Sequence, residues 1–380
     1  MSLWSLIKAE LKALLTNPVV MLTVFGGVVF YSFLYPLPYS NQTPLEQKIT
    51  VVNLDLSQTS YQLERMVDAT PQVNIVRRDS SIIGAKEAFL NGDVSGILVI
   101  PEHFYKDLLM GKSPTLAYAG DASYFLVYGT IVEGLAHAGG TLAAKSTVSK
   151  LVIEGTPLEQ AVNQYAPSQL NMKPTFNPRM GYLDYVVPAV FVLILQQTLA
   201  MAAGLLGGTQ KHGKGYWSRT PALQLITVRT CILVIIYYLL SMYYFGASFT
   251  MYSVNQLAPI SQLLTMLLPF LIATSAIGIW LGQILPRREL VTLVVLISSM
   301  PLIFSAGFIW PTQSIPNIVL WLANLFPSTA AIQGFLALNQ MGADWQQVAP
   351  HYTQLWLQAI AWFSLALWSV HRGKQKAHHK

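Results

Sequence analysis

Six stretches of this chain are each apolar over about the 20 residues that cross the hydrocarbon core of a bilayer. They are Pro18–Tyr35, Leu183–Gly207, Leu225–Phe245, Ile260–Leu285, Leu290–Ile309 and Leu355–Val370. So many apolar runs leave few folds open. Backbone N–H and C=O groups in lipid must be satisfied internally, which selects helices. A seventh apolar stretch, Ile315–Leu338, is interrupted by Pro316 and Pro327. It reads as a re-entrant or interfacial pair of short helices within 310–338, because broken backbone at membrane depth must be buried or line a cavity; a further span is the rival. The chain is 53% hydrophobic and 11% charged, whereas soluble domains carry roughly 25% charged residues. That argues against an ordinary soluble enzyme, and the same figures exclude disorder. The single cysteine, Cys231, excludes a disulfide scaffold and a Cys-rich metal site.

Lys and Arg set the expected orientation. Lys8 and Lys12 precede the first span, Lys211, Lys214 and Arg219 follow the second, and Arg287 and Arg288 follow the fourth. Arg372, Lys374, Lys376 and Lys380 lie in the tail, 372–380. The alternate short segments Gly246–Pro259 and Trp310–Tyr352 contain neither residue type. The positive-inside rule then places both termini in the cytoplasm and residues 40–182 outside. The +6 net charge is thus a matter of topology rather than of nucleic-acid binding. The first span, 18–39, leaves through Tyr35-Pro36-Leu37-Pro38-Tyr39 with no small-residue cleavage site, so it reads as an anchor.

Residues 1–17 read as an interfacial helix. Leu3, Leu6, Ile7, Leu11, Leu14 and Leu15 recur at helical spacing, with Ser5, Lys8 and Lys12 opposite. Asn17-Pro18 then supplies an N-cap and an N1 proline. Within 40–182, short β-branched runs predict strands at Lys48–Leu54, Val73–Arg77, Gly96–Ile100 and Leu116–Ala119. Helical patterns occupy Ser60–Ala69, Ser81–Asn91 and Ala122 to about Gln164, the last with Gly134, Gly139, Gly140 and Gly155 as weak points. The order predicts a small mixed or parallel α/β sheet, and Pro167–Pro178 is a linker. The fold class is therefore an α-helical polytopic membrane protein, six transmembrane helices plus a re-entrant element, with an inserted extracytoplasmic α/β domain; spans two to six occupy 183–371.

No catalytic constellation is visible. Gly208–Gly215 fits G-x-x-x-x-G-K but has Gly215 where magnesium needs Ser or Thr, and it follows an apolar span rather than a strand. The seven histidines form no metal-ligand spacing. Asp184, Arg229 and Glu289 lie at span ends, so the midplane holds little charge and a proton- or sodium-coupled carrier is disfavoured. Gly204–Gly208 and Gly278–Gly282 each contain G-x-x-x-G, which lets helices approach closely.

Three segments, in order, resemble an ABC-2 type transporter permease. They are Ile49–Ser60 (ITVVNLDLSQTS), Gly92–Gly111 (GDVSGILVIPEHFYKDLLMG) and Ser305–Pro316 (SAGFIWPTQSIP) with Leu322–Gly342 after it. The likeness is nearest to the bacterial drug-efflux-type subgroup with a large periplasmic domain between the first two spans. It implies a multi-pass inner-membrane exporter subunit that binds no cofactor itself, with ATP and magnesium held by separate ABC ATP-binding subunits. It also implies a second permease, identical or related, contact with membrane lipid, and room for a periplasmic adaptor; no nucleic acid is expected. ATPase-coupling candidates are Lys8, Lys12, Lys211, Lys214, Tyr216, Trp217 and Arg219. Outer-gate candidates are Phe308, Trp310, Pro311, Pro316 and Pro327. One departure from the family pattern stands at Lys211–Tyr216, where acidic residues are missing. With spans that offer almost no charge, the cargo expected is amphipathic or hydrophobic. The alternative is a non-transporting receptor or scaffold that displays the outer domain.

Overall fold

The structure is a computed structural model that describes residues 2–40, 44–166, 174–210 and 215–378. Helix α1 (Leu3–Leu15) starts where Ser2 Oγ accepts the Ser5 N–H at 3.3 Å. Asn17 Oδ1 accepts the N–H groups of Val19 and Val20 at 3.2 and 3.3 Å, and Pro18 fills N1, so α2 (Pro18–Tyr39) begins at the expected cap. α1 buries Leu6, Glu10 and Leu14, while Leu3, Trp4 and Leu15 stay exposed. It therefore has one side against protein and a second apolar side free.

The chain divides into two compact units, Thr43–Lys173 and the remainder. The first holds strands β1 (Gln47–Asn53), β2 (Val73–Arg78), β3 (Gly96–Ile100) and β4 (Ala117–Gly120). Their order is β2-β1-β3-β4; β1 is parallel to β2 and β3, and β4 is antiparallel to β3, so the sheet is mixed. Helices α3 (Gln58–Asp68), α4 (Ile82–Leu90), α5 (Phe104–Leu109), α6 (Phe125–Ile153) and α7 (Leu158–Tyr165) complete it. Alternation along the strands makes two cores. Ile49, Val51, Leu98 and Ile100 meet Leu63, Val67, Ile131 and Leu135, whereas Val52 and Ile97 meet Ala85. Of the glycines marked as weak points, only Gly155, at φ +98°, ends a helix; α6 runs on through Gly134, Gly139 and Gly140. The unit stops short of the expected 182, and Pro174–Tyr182 belongs to the other unit, where Arg179 pairs with Asp184.

The second unit is a helical body. After α1 and α2 come α8 (Val186–Gln210), α9 (Ala222–Met251), α10 (Ile260–Ile284), α11 (Glu289–Ser305), α12 (Asn317–Ala323), α13 (Pro327–Gln340) and α14 (Trp345–His378). Almost every side chain of α8 is buried, so it is the central helix. It meets α10 glycine to glycine: a methyl on Gly204 would lie 2.8 Å from the Gly278 carbonyl, and one on Gly282 would strike the Gly204 carbonyl. The two G-x-x-x-G motifs thus face each other, which is how small residues let backbones approach.

Among the described residues four helices, α2, α8, α9 and α10, are long and apolar enough to cross a membrane, or five if the bent pair α12–α13 is one span; six were expected. α11 has 17 residues because the chain turns at Gly307, φ +88°, before Ile309. The stretch 355–370 lies inside the 34-residue α14, where Gln354 and Gln358 interrupt the apolar pattern. α12 and α13 meet at a bend of 94°, as a broken span or a re-entrant loop does.

A leucine at Gly278 should wedge α8 from α10 and destabilise the body by about 3 kcal/mol. The apparent melting temperature of the purified protein should fall, whereas Gly246→Ala, which meets nothing within 4 Å, should leave it unchanged.

Candidate functional site

The C-terminal end of α8 carries a buried polar cluster. Arg229 on α9 and Glu10 on α1 are both 2% exposed, and the guanidinium donates to both carboxylate oxygens at 2.8 and 3.1 Å. The same guanidinium donates to Gln210 Oε1, and the Gln210 amide donates to the Tyr216 hydroxyl at 2.5 Å. Burial, and after it the Glu10 carboxylate, pushes the Tyr216 hydroxyl up to about 12, so it stays neutral. Around the charges sits an apolar collar of Leu6, Trp217, Leu225, Val228 and Ile232. Lys374 of α14 lies 5.1 Å from the Trp217 ring and donates to the Thr220 carbonyl. Burial, then the Arg229 charge, lowers the pKa of Lys374. One cluster thus joins α1, the end of α8, the 215–220 turn, α9 and α14.

Of the coupling candidates, Tyr216 and Trp217 are in this cluster. Lys8 and Lys12 are on the exposed side of α1, with Lys8 5.3 Å from the Trp4 ring, and Arg219 is exposed. Lys211 and Lys214 lie outside the described residues. Sequence reasoning missed Glu10, although a signal existed. Glu10 is three or four positions from Leu6, Ile7 and Leu14, so it interrupts the apolar stripe rather than the polar face. Arg229 within an apolar run was the matching half.

A second ion pair guards the other end of α8. Asp184 is fully buried and accepts from Arg179 at 2.5 and 2.9 Å; Arg179 also donates to the Ser253 carbonyl at 2.6 Å. Gln340 donates to the Asp184 carbonyl and Asn339 to the Asn255 carbonyl, so α13 is held to the same place.

The 94° break between α12 and α13 frees backbone groups that need partners. Gln358 and Trp362 of α14 donate to the carbonyls of Asn324 and Leu325 at 2.6 and 3.1 Å. Gln196 of α8 accepts the Ser328 N–H at 2.7 Å. Beside the break lies a cavity of about 270 Å³, lined in part by Gln196, Trp280, Ser298, Ser299, Phe326 and Trp362. Its serines donate to the Val295 carbonyl, so it offers mainly ring and hydrocarbon surface. Among the gate candidates, Phe308 and Pro327 are buried, while Trp310, Pro311 and Pro316 are exposed; they do not form one cluster. No group of three or more His, Cys, Asp or Glu is arranged to hold a metal among the described residues.

Several long apolar helices, a glycine-packed central helix and the buried ion pairs at both ends of that helix define a polytopic membrane protein. The model of the ABC-2 family transporter protein matches residues 19–368, and the chain belongs to that family. It is therefore a membrane transport component rather than a catalytic subunit. No curated protein matches the chain.

Removing one partner of a buried pair strands the other charge, at about 3–5 kcal/mol. Arg229→Met should therefore destabilise the protein strongly, and adding Glu10→Leu should recover most of the loss. Thermal denaturation of the two singles and the double checks this; additive losses would show that the two side chains do not interact.

Proposed function

We propose that this chain is the permease subunit of an ABC-type exporter, which moves an amphipathic or hydrophobic cargo with ATP hydrolysed by separate ABC ATP-binding subunits. The family supports an ABC transporter membrane subunit. The observation that carries the coupling reading is the Glu10–Arg229–Gln210–Tyr216 cluster, which ties α1 to the ends of α8 and α9. A force applied to α1 or to the 215–220 turn would reach the central helix through hydrogen bonds rather than through a compliant lipid-facing surface.

In this reading the chain sits in a bacterial inner membrane with both termini cytoplasmic and residues 40–182 periplasmic. It crosses six times, with α11 and α14 as the two crossings that length and hydropathy leave open. The ATPase docks on the basic cytoplasmic face, where Lys8, Lys12, Lys211, Lys214 and Arg219 supply the charge. ATP-driven closure does work only if these contacts differ between two states of the permease. A second copy or a related permease completes the pathway, and residues 310–338 close its outer end. The cavity beside the α12–α13 break is the candidate contact for cargo, because its surface is apolar and its polar groups are already paired.

Replacing Lys211, Lys214 and Arg219 together with alanine should remove ATPase co-purification and abolish ATP-dependent export, with the permease still folded. Retention of both would exclude these residues from docking. Disabling the partner ATPase should stop export outright; an unchanged phenotype would point to a receptor or scaffold instead.

A further inference from the structure

The α/β unit contains a groove that its own packing does not require. Helix α6 has 29 residues, yet its buried side chains run only from Thr130 to Leu142. Alongside its second half, facing α5, lies a cavity of about 520 Å³ with Phe104, Leu108, Leu116 and Leu142 in its lining. A neighbouring cavity of about 500 Å³ shares Leu108, Leu142, Ser146 and Lys150 with it, so the two adjoin along α6.

Two features point to an occupant. Gly139 and Gly140 line the groove in mid-helix, where glycine weakens a helix relative to alanine. The packing of the chain does not call for them: a methyl on Gly139 would make an ordinary 3.5 Å contact with Leu116, and one on Gly140 would meet nothing within 4 Å. The missing side chains leave the wall open. The mouth, moreover, is cationic. Lys112 and Lys150 line the first cavity and Lys145 and Lys150 the second, with Glu154 as the carboxylate among them. Lys112 is 3.4 Å from Asp107, while Lys145 and Lys150 make no ion pair among the described residues. Lys150 leans across the mouth, so that a methyl on Gly111 would lie 3.2 Å from its ammonium.

We propose that this groove is a binding site for a single-chain amphipathic anion, such as a long-chain carboxylate, whose hydrocarbon lies on the leucine and phenylalanine floor and whose head group meets Lys150 and Lys112. The floor takes an apolar chain and the lysines take a charged end. Two walls are helices and the third is the non-helical segment 111–116 that leads into edge strand β4, so an extended peptide is the competing occupant that the test must separate. The proposal concerns this unit alone and stands whether or not the chain is an exporter.

The test uses the full-length protein in phosphatidylcholine nanodiscs with a diazirine-bearing palmitic acid, photolysis and peptide mapping. Label should appear within 104–116 and 139–154 and be displaced by excess palmitate but not by hexadecanol. Gly140→Leu, which fills the open wall, and Lys150→Glu, which reverses the charge, should each lower that labelling about tenfold, or about 1.4 kcal/mol. Limited proteolysis of the α/β unit should give the native pattern in both variants, which shows that each is folded. Absence of displaceable label in the native groove would overturn the proposal, as would native-level labelling in Gly140→Leu. Equal competition by hexadecanol would overturn the anionic assignment, and label confined to the membrane helices would overturn the proposal.

Discussion

Arg229 carries a positive charge into an apolar helix, and Glu10 makes that tolerable. An isolated charge removed from water costs several kcal/mol even after relaxation. Here the guanidinium reaches both carboxylate oxygens, and Gln210 takes a further N–H. Because Glu10 belongs to a separate helix, the need to neutralise Arg229 fixes where α1 lies. The collar of Leu6, Trp217, Leu225 and Val228 then excludes water from the pair. Such a pair adds little net stability over well-packed apolar side chains, but it penalises any arrangement in which α1 leaves α9. Position, more than stability, is what the pair secures.

The same constraint acts on uncharged groups at the α12–α13 break. A helix that bends sharply inside an apolar body leaves carbonyls at one stump and an N–H at the next. Gln358 and Trp362 satisfy the carbonyls of Asn324 and Leu325, and Gln196 satisfies Ser328. These donors and the acceptor come from α14 and α8, so the break is stable only while three helices remain together. The apolar cavity sits beside this junction. A displacement of α8 would therefore disturb the break and the cavity at once, which links the charged cluster at one end of α8 to the candidate cargo surface.

Much of the fold was legible in the amino-acid order because it is set by local rules. Asn17-Pro18 starts α2, short β-branched runs mark the four strands, and the prolines at 316 and 327 predict the broken segment. The paired G-x-x-x-G motifs announced a close approach without saying that they face each other. The site was less legible because its parts are distant. Glu10 and Arg229 are 219 positions apart, and although each interrupts an apolar pattern, nothing in the amino-acid order pairs one with the other. Gln196, Gln358 and Trp362 likewise act on backbone groups that exist only once the helix has broken. α6 was legible as helical, but not as unbroken: its glycines read as weak points, whereas packing against the sheet through Ile131, Leu135 and Leu142 holds the helix through them.

The central claim is that the Glu10–Arg229 pair makes α1 and α9 move as one body. It is tested by pulsed electron spin resonance on the protein assembled with the ABC ATP-binding subunit proposed to drive it. Spin labels would be placed at the exposed positions Ser5 and Leu223, with Cys231 replaced by serine. A single narrow distance distribution is predicted, the same in the resting and nucleotide-trapped states. A distribution that shifts or splits between the two states in the otherwise native protein would contradict the account.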